Sequence, residues 1–225
     1  MKKLLILLSL ISTIAMADSF DASVGALSDY RFRGISQSDL KPSAISQEEY
    51  TADNGIWLGN KLDTVSKQEY LNGTGIESDY YAGWTHKFDD IKIYVGDYEY
   101  TYPGATNYNT NEVFAQLRYS NITLKYYRSL TDYFAIPGTT GTQYYSVDYY
   151  LPIKDVTFVS HVGHTQNAYS YSDWKFGPTM NIYGVDASLS YYWNSGMSSD
   201  FKLMNTVNGN QLYRNSVVLG LSKSF

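Results

Sequence analysis

The chain has 225 residues, enough for one domain of ordinary size and short for two. Hydrophobic residues make up 44% of it, yet beyond Ala17 no run approaches the ~20 apolar residues of a spanning helix, which excludes a helical membrane protein. The 24 Tyr, 9 Phe and 4 Trp argue against disorder, and zero Cys excludes disulfides, thiol catalysis and zinc–thiolate sites. A formal charge of −5 argues against a nucleic-acid partner.

Met1-Lys2-Lys3, the apolar stretch Leu4 to Ile14 and the exit Ala15-Met16-Ala17 form the three parts of a secretory signal peptide. The expected division is a leader over 1–17 and one barrel domain over 18–225, with the mature chain beginning near Asp18 outside the bacterial inner membrane. Losing Lys2 and Lys3 leaves 15 basic against 22 acidic residues, a charge of −7.

From Phe20 onward the pattern has period 2, as in strands, and no stretch longer than two turns has helical spacing. The first strand is expected to carry Asp29, Arg31 and Arg33 upward on its polar side. Assignment is weakest from Pro42 to Ala52, where Glu48 and Glu49 occupy both faces and one of them must lie near an interface. Over Ile91 to Tyr102, Tyr94, Tyr98, Tyr100 and Tyr102 are expected to face outward, because the opposite choice sends Asp97 and Glu99 into lipid. The clearest strand is Glu112 to Tyr119, with Val113, Ala115, Leu117 and Tyr119 opposing Glu112, Gln116 and Arg118. Ile122 to Tyr126 follows, and Arg128, sharing parity with Leu124, must snorkel at the rim or follow a bulge. Then come Gln143 to Tyr149, Asp173 to Ile182, and Val185 to Asn194. About twelve segments of roughly ten residues result, the length a tilted strand needs to cross a bilayer.

The connections alternate strictly. Short ones lie at Asp53-Asn54-Gly55, Asp89-Asp90, Ser120-Asn121, Pro152 to Asp155 and Tyr183-Gly184. Long polar ones run from Arg33 to Ser43, Thr64 to Gly75, Pro103 to Asn111, Thr131 to Gly141, Gln166 to Tyr171 and Ser195 to Arg214. In an up-and-down barrel every second connection falls on the same rim, so one rim carries tight turns and the other loops. The charged faces cannot fill a dry core; turned inside out, they line a wet lumen and the apolar faces meet lipid. The expected fold is all-β: a closed antiparallel up-and-down transmembrane β-barrel of about 12 strands, with short periplasmic turns and longer extracellular loops. The many tyrosines fit interfacial girdles.

The chain ends with Val217, Leu219, Leu221 and Phe225 on one face. An aromatic last residue behind alternating apolar ones resembles the C-terminal signal read by the outer-membrane assembly machinery, although Lys223 stands where an apolar residue is usual. The stretch Ser28-Asp29-Tyr30-Arg31-Phe32-Arg33-Gly34-Ile35-Ser36-Gln37-Ser38-Asp39 resembles the N-terminal signature of the TorF family of bacterial porins. Tyr100 to Ala105, Leu124-Lys125-Tyr126 with Ser129 to Phe134, Tyr171 to Lys175 and Ser222 to Phe225 are similar to the same family in the same order. The resemblance implies an outer-membrane β-barrel acting as a channel. It transfers no substrate and no set of functional residues.

For chemistry, the chain offers His86, His161 and His164. His161 and His164 are three apart on a strand and face opposite sides, so they cannot share a metal, and His86 shares parity with Trp84 and Phe88 on the lipid side. No Gly-x-Ser-x-Gly elbow occurs. His161 facing the lumen is a candidate general base or a plain pore-lining residue. The candidate pore-lining residues are Asp29, Arg31, Arg33, Glu112, Arg118, Lys125, Asp148, Asp173, Lys175 and Asp186, whose two signs set a transverse field across a narrow bore. Twelve strands lie between a bore filled by side chains and an open one, so an inward loop or arginine can close it.

The leading expectation is an outer-membrane channel for passive diffusion of small polar or ionic solutes, without catalysis, cofactor or metal. Its expected surroundings are outer-membrane lipid, lipopolysaccharide and the assembly machinery that reads the Phe225 end. A lipid-modifying hydrolase, or a structural or adhesive barrel acting through its loops, are the alternatives.

Overall fold

The computed structural model describes residues 19–70 and 73–225; the expected leader over 1–17 lies outside them. Twelve antiparallel strands form a closed barrel in which each pairs with its neighbours in sequence and the last returns to the first. They are β1 (Ser19–Leu27), β2 (Ser43–Thr51), β3 (Ile56–Thr64), β4 (Ile76–Phe88), β5 (Ile91–Thr101) and β6 (Thr110–Tyr119). The ring continues with β7 (Ile122–Ser129), β8 (Gln143–Ile153), β9 (Val156–Gln166), β10 (Tyr171–Ile182), β11 (Val185–Ser195) and β12 (Ser216–Ser224). Closure leaves no unpaired edge.

The rims are sorted as the spacing predicts. Three turns, Asp89-Asp90, Ser120-Asn121 and Lys154-Asp155, place a positive φ at their first residue, and Tyr183-Gly184 has positive φ at both. Such turns match the twist of the strands they join. The other rim carries six longer connections, including a short helix α1 (Ser199–Met204), capped by the Ser198 side chain accepting from the Phe201 N–H.

The outward face is apolar and exposed: Val24, Leu58, Trp84, Val95, Val113, Leu124, Val147, Phe176, Leu189 and Leu219 all present their side chains there. Bare in water, such a continuous belt would be a gross liability, whereas hydrocarbon matches it. The polar set is buried within, as inversion requires: Asp63, Glu77, Asp79, Glu112, Asp148 and Asp173 are among the most enclosed side chains of the chain.

The parity of β5 is the reverse of the expectation. Tyr100 and Tyr102 are buried in the bore, Tyr98 joins them, and Asp97 is exposed on the outer side with Val95. Asp97 and Glu99 lie toward the loop-rim end of the strand, where charge costs least; Asp97 also accepts a 2.8 Å hydrogen bond from Asn111 Nδ2. Many tyrosines expected in girdles are thus internal, while Tyr80, Tyr119, Tyr145, Tyr149 and Tyr191 do face outward. In β2, Gln47 reaches inward to the Tyr81 hydroxyl, so Glu49 shares the bore face and Glu48 the outer one. Arg128 is exposed beside Leu124 parity and its guanidinium lies near Gly141 of the next loop, so it snorkels rather than following a bulge.

Aromatic packing fills one side of the bore. Trp57 lies over the paired Gly83 and Gly96, with its ring 5.9 Å from Tyr81 and 5.8 Å from Phe114. A Cβ on Gly83 would fall 2.4 Å from Trp57 Cζ2, so the two glycines make the floor that admits the indole.

A candidate functional site in the bore

Asp29, Arg31 and Arg33 are not on the first strand, which ends at Leu27. They belong to the connection between β1 and β2, which turns into the barrel and closes on a two-residue ladder of Arg31-Phe32 with Ile35-Ser36. Tertiary contacts, invisible in a local pattern, decide this. Arg31 Nε pairs with Asp29 Oδ2 at 2.7 Å, and its other nitrogens donate to Gly34 O, Arg214 O and Ser216 Oγ. Arg33 Nη2 pairs with Glu112 Oε2 at 2.6 Å and Nη1 donates to the Tyr133 hydroxyl at 3.0 Å. Its guanidinium lies 4.1 Å from the Tyr144 ring centroid.

These two anchors are on opposite walls. Ser216 is in β12 and Glu112 in β6, six strands apart in a ring of twelve, so the loop crosses the full width of the bore. Gly34 sits at the crossing with φ +80, and a Cβ there would lie 2.1 Å from Asn194 Oδ1, so the turn requires glycine. Gly34 O also accepts from Asn194 Nδ2 at 2.9 Å.

Beneath the crossing lies a charged network. Lys125 Nζ is 3.0 Å from Asp148 Oδ2, and His161 bridges two carboxylates, Nδ1 to Asp148 at 2.6 Å and Nε2 to Asp173 at 3.0 Å. The Tyr144 hydroxyl reaches both His161 and Asp173. Lys175 completes this wall, lining the same cavity. With both ring nitrogens occupied by carboxylates, His161 has none directed at a serine, as a hydrolytic base requires.

The facing wall holds residues the pattern analysis missed. Lys61 pairs with Asp63 and reaches the Tyr30 hydroxyl at 3.2 Å. Glu77 accepts from the Tyr102 hydroxyl at 2.9 Å, and Asp79 from Tyr98 at 3.2 Å. Alternation in β3 and β4 was the signal that could have found them: Leu58 and Leu62 share the outward parity, and Lys61 and Asp63, on either side of Leu62, have the opposite one, which assigns the charges to the bore.

At the turn rim the inner face has a different charge layout. Lys87 is opposite Lys92, and Lys92 opposite Arg118, giving three cations in one row on β4, β5 and β6. Arg118 has no carboxylate within 4.0 Å among the described residues. Asp21 and Glu49, paired across β1 and β2, share that mouth with Asp186 of β11, which accepts from Asn181 Nδ2 at 2.8 Å. Acids on β11, β1 and β2 and bases on β4 to β6 occupy separate arcs of the ring.

The loop divides the interior in two. On the turn side, a cavity of about 300 Å³ is lined by Arg31, Arg33, Lys61, Lys125, Asp148 and His161. On the loop side, a cup of about 260 Å³ is lined by Tyr70, Tyr108, Tyr133, Phe134, Tyr171 and Glu69. Phe32 borders both. The predicted residues therefore separate into the crossing (Asp29, Arg31, Arg33, Glu112), the network below it (Lys125, Asp148, Asp173, Lys175) and the turn-side mouth (Arg118, Asp186).

A family profile described as a bacterial protein of unknown function (Gcw_chp) matches residues 13–225. No curated protein matches the chain. Among solved structures, the KdgM porin aligns with a TM-score of 0.57 at 10% identity, covering 92% of this chain and 98% of that one. The NanC porin aligns with a TM-score of 0.51 at 14% identity, covering 91% and 99%. At such identities the likeness is one of fold: a closed twelve-stranded barrel.

Proposed function

The chain belongs to that bacterial family of unknown function (Gcw_chp), and we propose that it is an outer-membrane channel of porin type, passing small polar or ionic solutes down their gradients. The observation that carries this reading is the bore itself: charged side chains of both signs around the turn-side cavity, with a second, largely aromatic cavity above the crossing, inside a barrel whose outer belt suits hydrocarbon. The fold likeness to barrels named as porins supports it. So does the TorF-type signature, since its residues Ser28 to Asp39 build the crossing loop. In this reading the loops face outside, the tight turns face the periplasm, and the leader over 1–17 delivers the chain to the assembly machinery through its Phe225 end.

The solute meets the cup first, then the Arg33–Glu112 crossing, then the charged network and the turn-side mouth. With Arg33 across the bore the described state is constricted, so passage requires the crossing to yield or the solute to thread beside it. Planar-bilayer recordings of purified, refolded protein test this. Discrete steps that enlarge in Arg33→Ala support the reading; silence at all voltages in both the native chain and Arg33→Ala would overturn it.

A further inference from the structure

We propose that the loop-side cup is a binding site for a small organic cation, with Glu69 as its counter-charge and the surrounding rings as its walls. This rests on the channel reading only in treating the cup as the entrance. Tyr70, Tyr108, Tyr133, Phe134 and Tyr171 contribute rings to a space of about 260 Å³. Tyr70 stands edge-on to Tyr108, with centroids 5.2 Å apart and planes at 79°, and Tyr133 stands likewise to Phe134 at 79°. Rings at such angles form a corner rather than a flat shelf, and ring faces attract cations.

The lining holds one ionisable carboxylate, Glu69, and no Lys, Arg or His. Its Oε2 is shut off from water and has no hydrogen-bond donor among the described residues. An orphaned carboxylate oxygen is costly unless a donor or cation supplies what is missing. Arg33, which touches the cup wall through the Tyr133 hydroxyl, is already committed to Glu112 and Tyr133. Burial first, then the charges of Glu77, Asp39 and Asp29, hold the Glu69 carboxyl well above the usual carboxylate range, so it keeps its proton until a cation stabilises the ionised form.

An anion has no cationic partner in this lining and would face the Glu69 carboxylate. A neutral sugar would stack on the rings but leave the charge of Glu69 unanswered. A bare metal ion has one carboxylate and a mostly apolar wall including Ile35, Ile136 and Leu212, too few oxygens for a hard cation. An alkylammonium group satisfies both features, its charge against Glu69 and its methyl or methylene shell against the rings.

The test is calorimetric titration of the refolded barrel in detergent with tetramethylammonium chloride, using glucose and sodium sulfate as comparison probes. Tetramethylammonium is expected to bind saturably, to weaken about tenfold in Glu69→Gln as a charge-assisted contact is lost, and to weaken in Tyr108→Leu as well. Glucose and sulfate are expected to give no saturable heat. Retained heat-modifiable migration in gels certifies that each variant is folded. Absence of saturable tetramethylammonium binding to the folded native chain, equal binding in Glu69→Gln, or sulfate binding as tight as tetramethylammonium would each overturn the proposal. Conductance of the same samples in sodium chloride is read separately, so a silent barrel that still binds the cation counts against the channel and not against this site.

Discussion

Replacing Arg33 by Ala removes the ion pair that ties the crossing loop to Glu112 on the β6 wall. The Arg33 and Glu112 side chains are 4% and 0% exposed, so the change leaves a carboxylate buried and unpaired. Breaking a buried pair from one side costs about 3–5 kcal/mol, and loss of the guanidinium from the Tyr144 face adds about 0.5–2 kcal/mol. The barrel ladder is untouched, so the cost falls mainly on docking of the loop: a segment held by a few kcal/mol becomes undocked for much of the time. Two measurements follow: larger and noisier single-channel steps, and faster proteolysis between Ser28 and Pro42 with the barrel core resistant. Pairing the change with Glu112→Gln in a double-mutant cycle should recover about 2–3 kcal/mol, because the orphaned charge is gone. If Arg33→Ala conducts and resists protease as the native chain does, the loop is held by other contacts and the reasoning fails.

Reversing Lys92 and Arg118 to Glu together should move the zero-current potential under a salt gradient toward cation preference, since both lie in one cationic row at the turn-side mouth. Gly96→Val forces side-chain atoms against the Trp57 ring, whose Cη2 would lie 2.7 Å from a Cβ; it should lower stability by about 1–3 kcal/mol in denaturant titrations. Leu124→Arg on the outer face should cost about 2–4 kcal/mol if placed near the bilayer midplane, whereas Thr123→Ser beside it, facing the bore, should cost far less. Glu69 binds its proton more tightly in the folded chain than in the unfolded one. Its loop should therefore lose stability as pH rises through that raised range, while tetramethylammonium binding strengthens over the same interval and Glu69→Gln flattens both curves.

Period-2 alternation and loop sorting make the barrel legible in the sequence. Each strand reports its own parity, and Val113 to Tyr119 or Val185 to Trp193 leave little choice. Strand β5 was misread because two rules conflicted there: keep Asp97 and Glu99 from lipid, or keep Ile91, Ile93 and Val95 in it. Height along the strand resolves the conflict, and a one-dimensional pattern carries no height. The bore was legible in part. Glu112, Lys125, Asp148 and Asp173 follow from parity, as Asp63 and Glu77 would have with the same rule applied to β3 and β4. The crossing was not legible, because Arg31 and Arg33 find Ser216 and Glu112 across 185 and 79 residues of chain. The cup was hidden for the same reason, being assembled from five separate loops.

The inverted barrel itself is tested by spin labels placed singly at each position from Tyr144 to Leu151 of β8 in reconstituted protein. Collision rates with oxygen should peak at 145, 147, 149 and 151, and those with a water-soluble nickel chelate should not follow them. Alternation in the opposite phase, or none along the strand, would contradict the account.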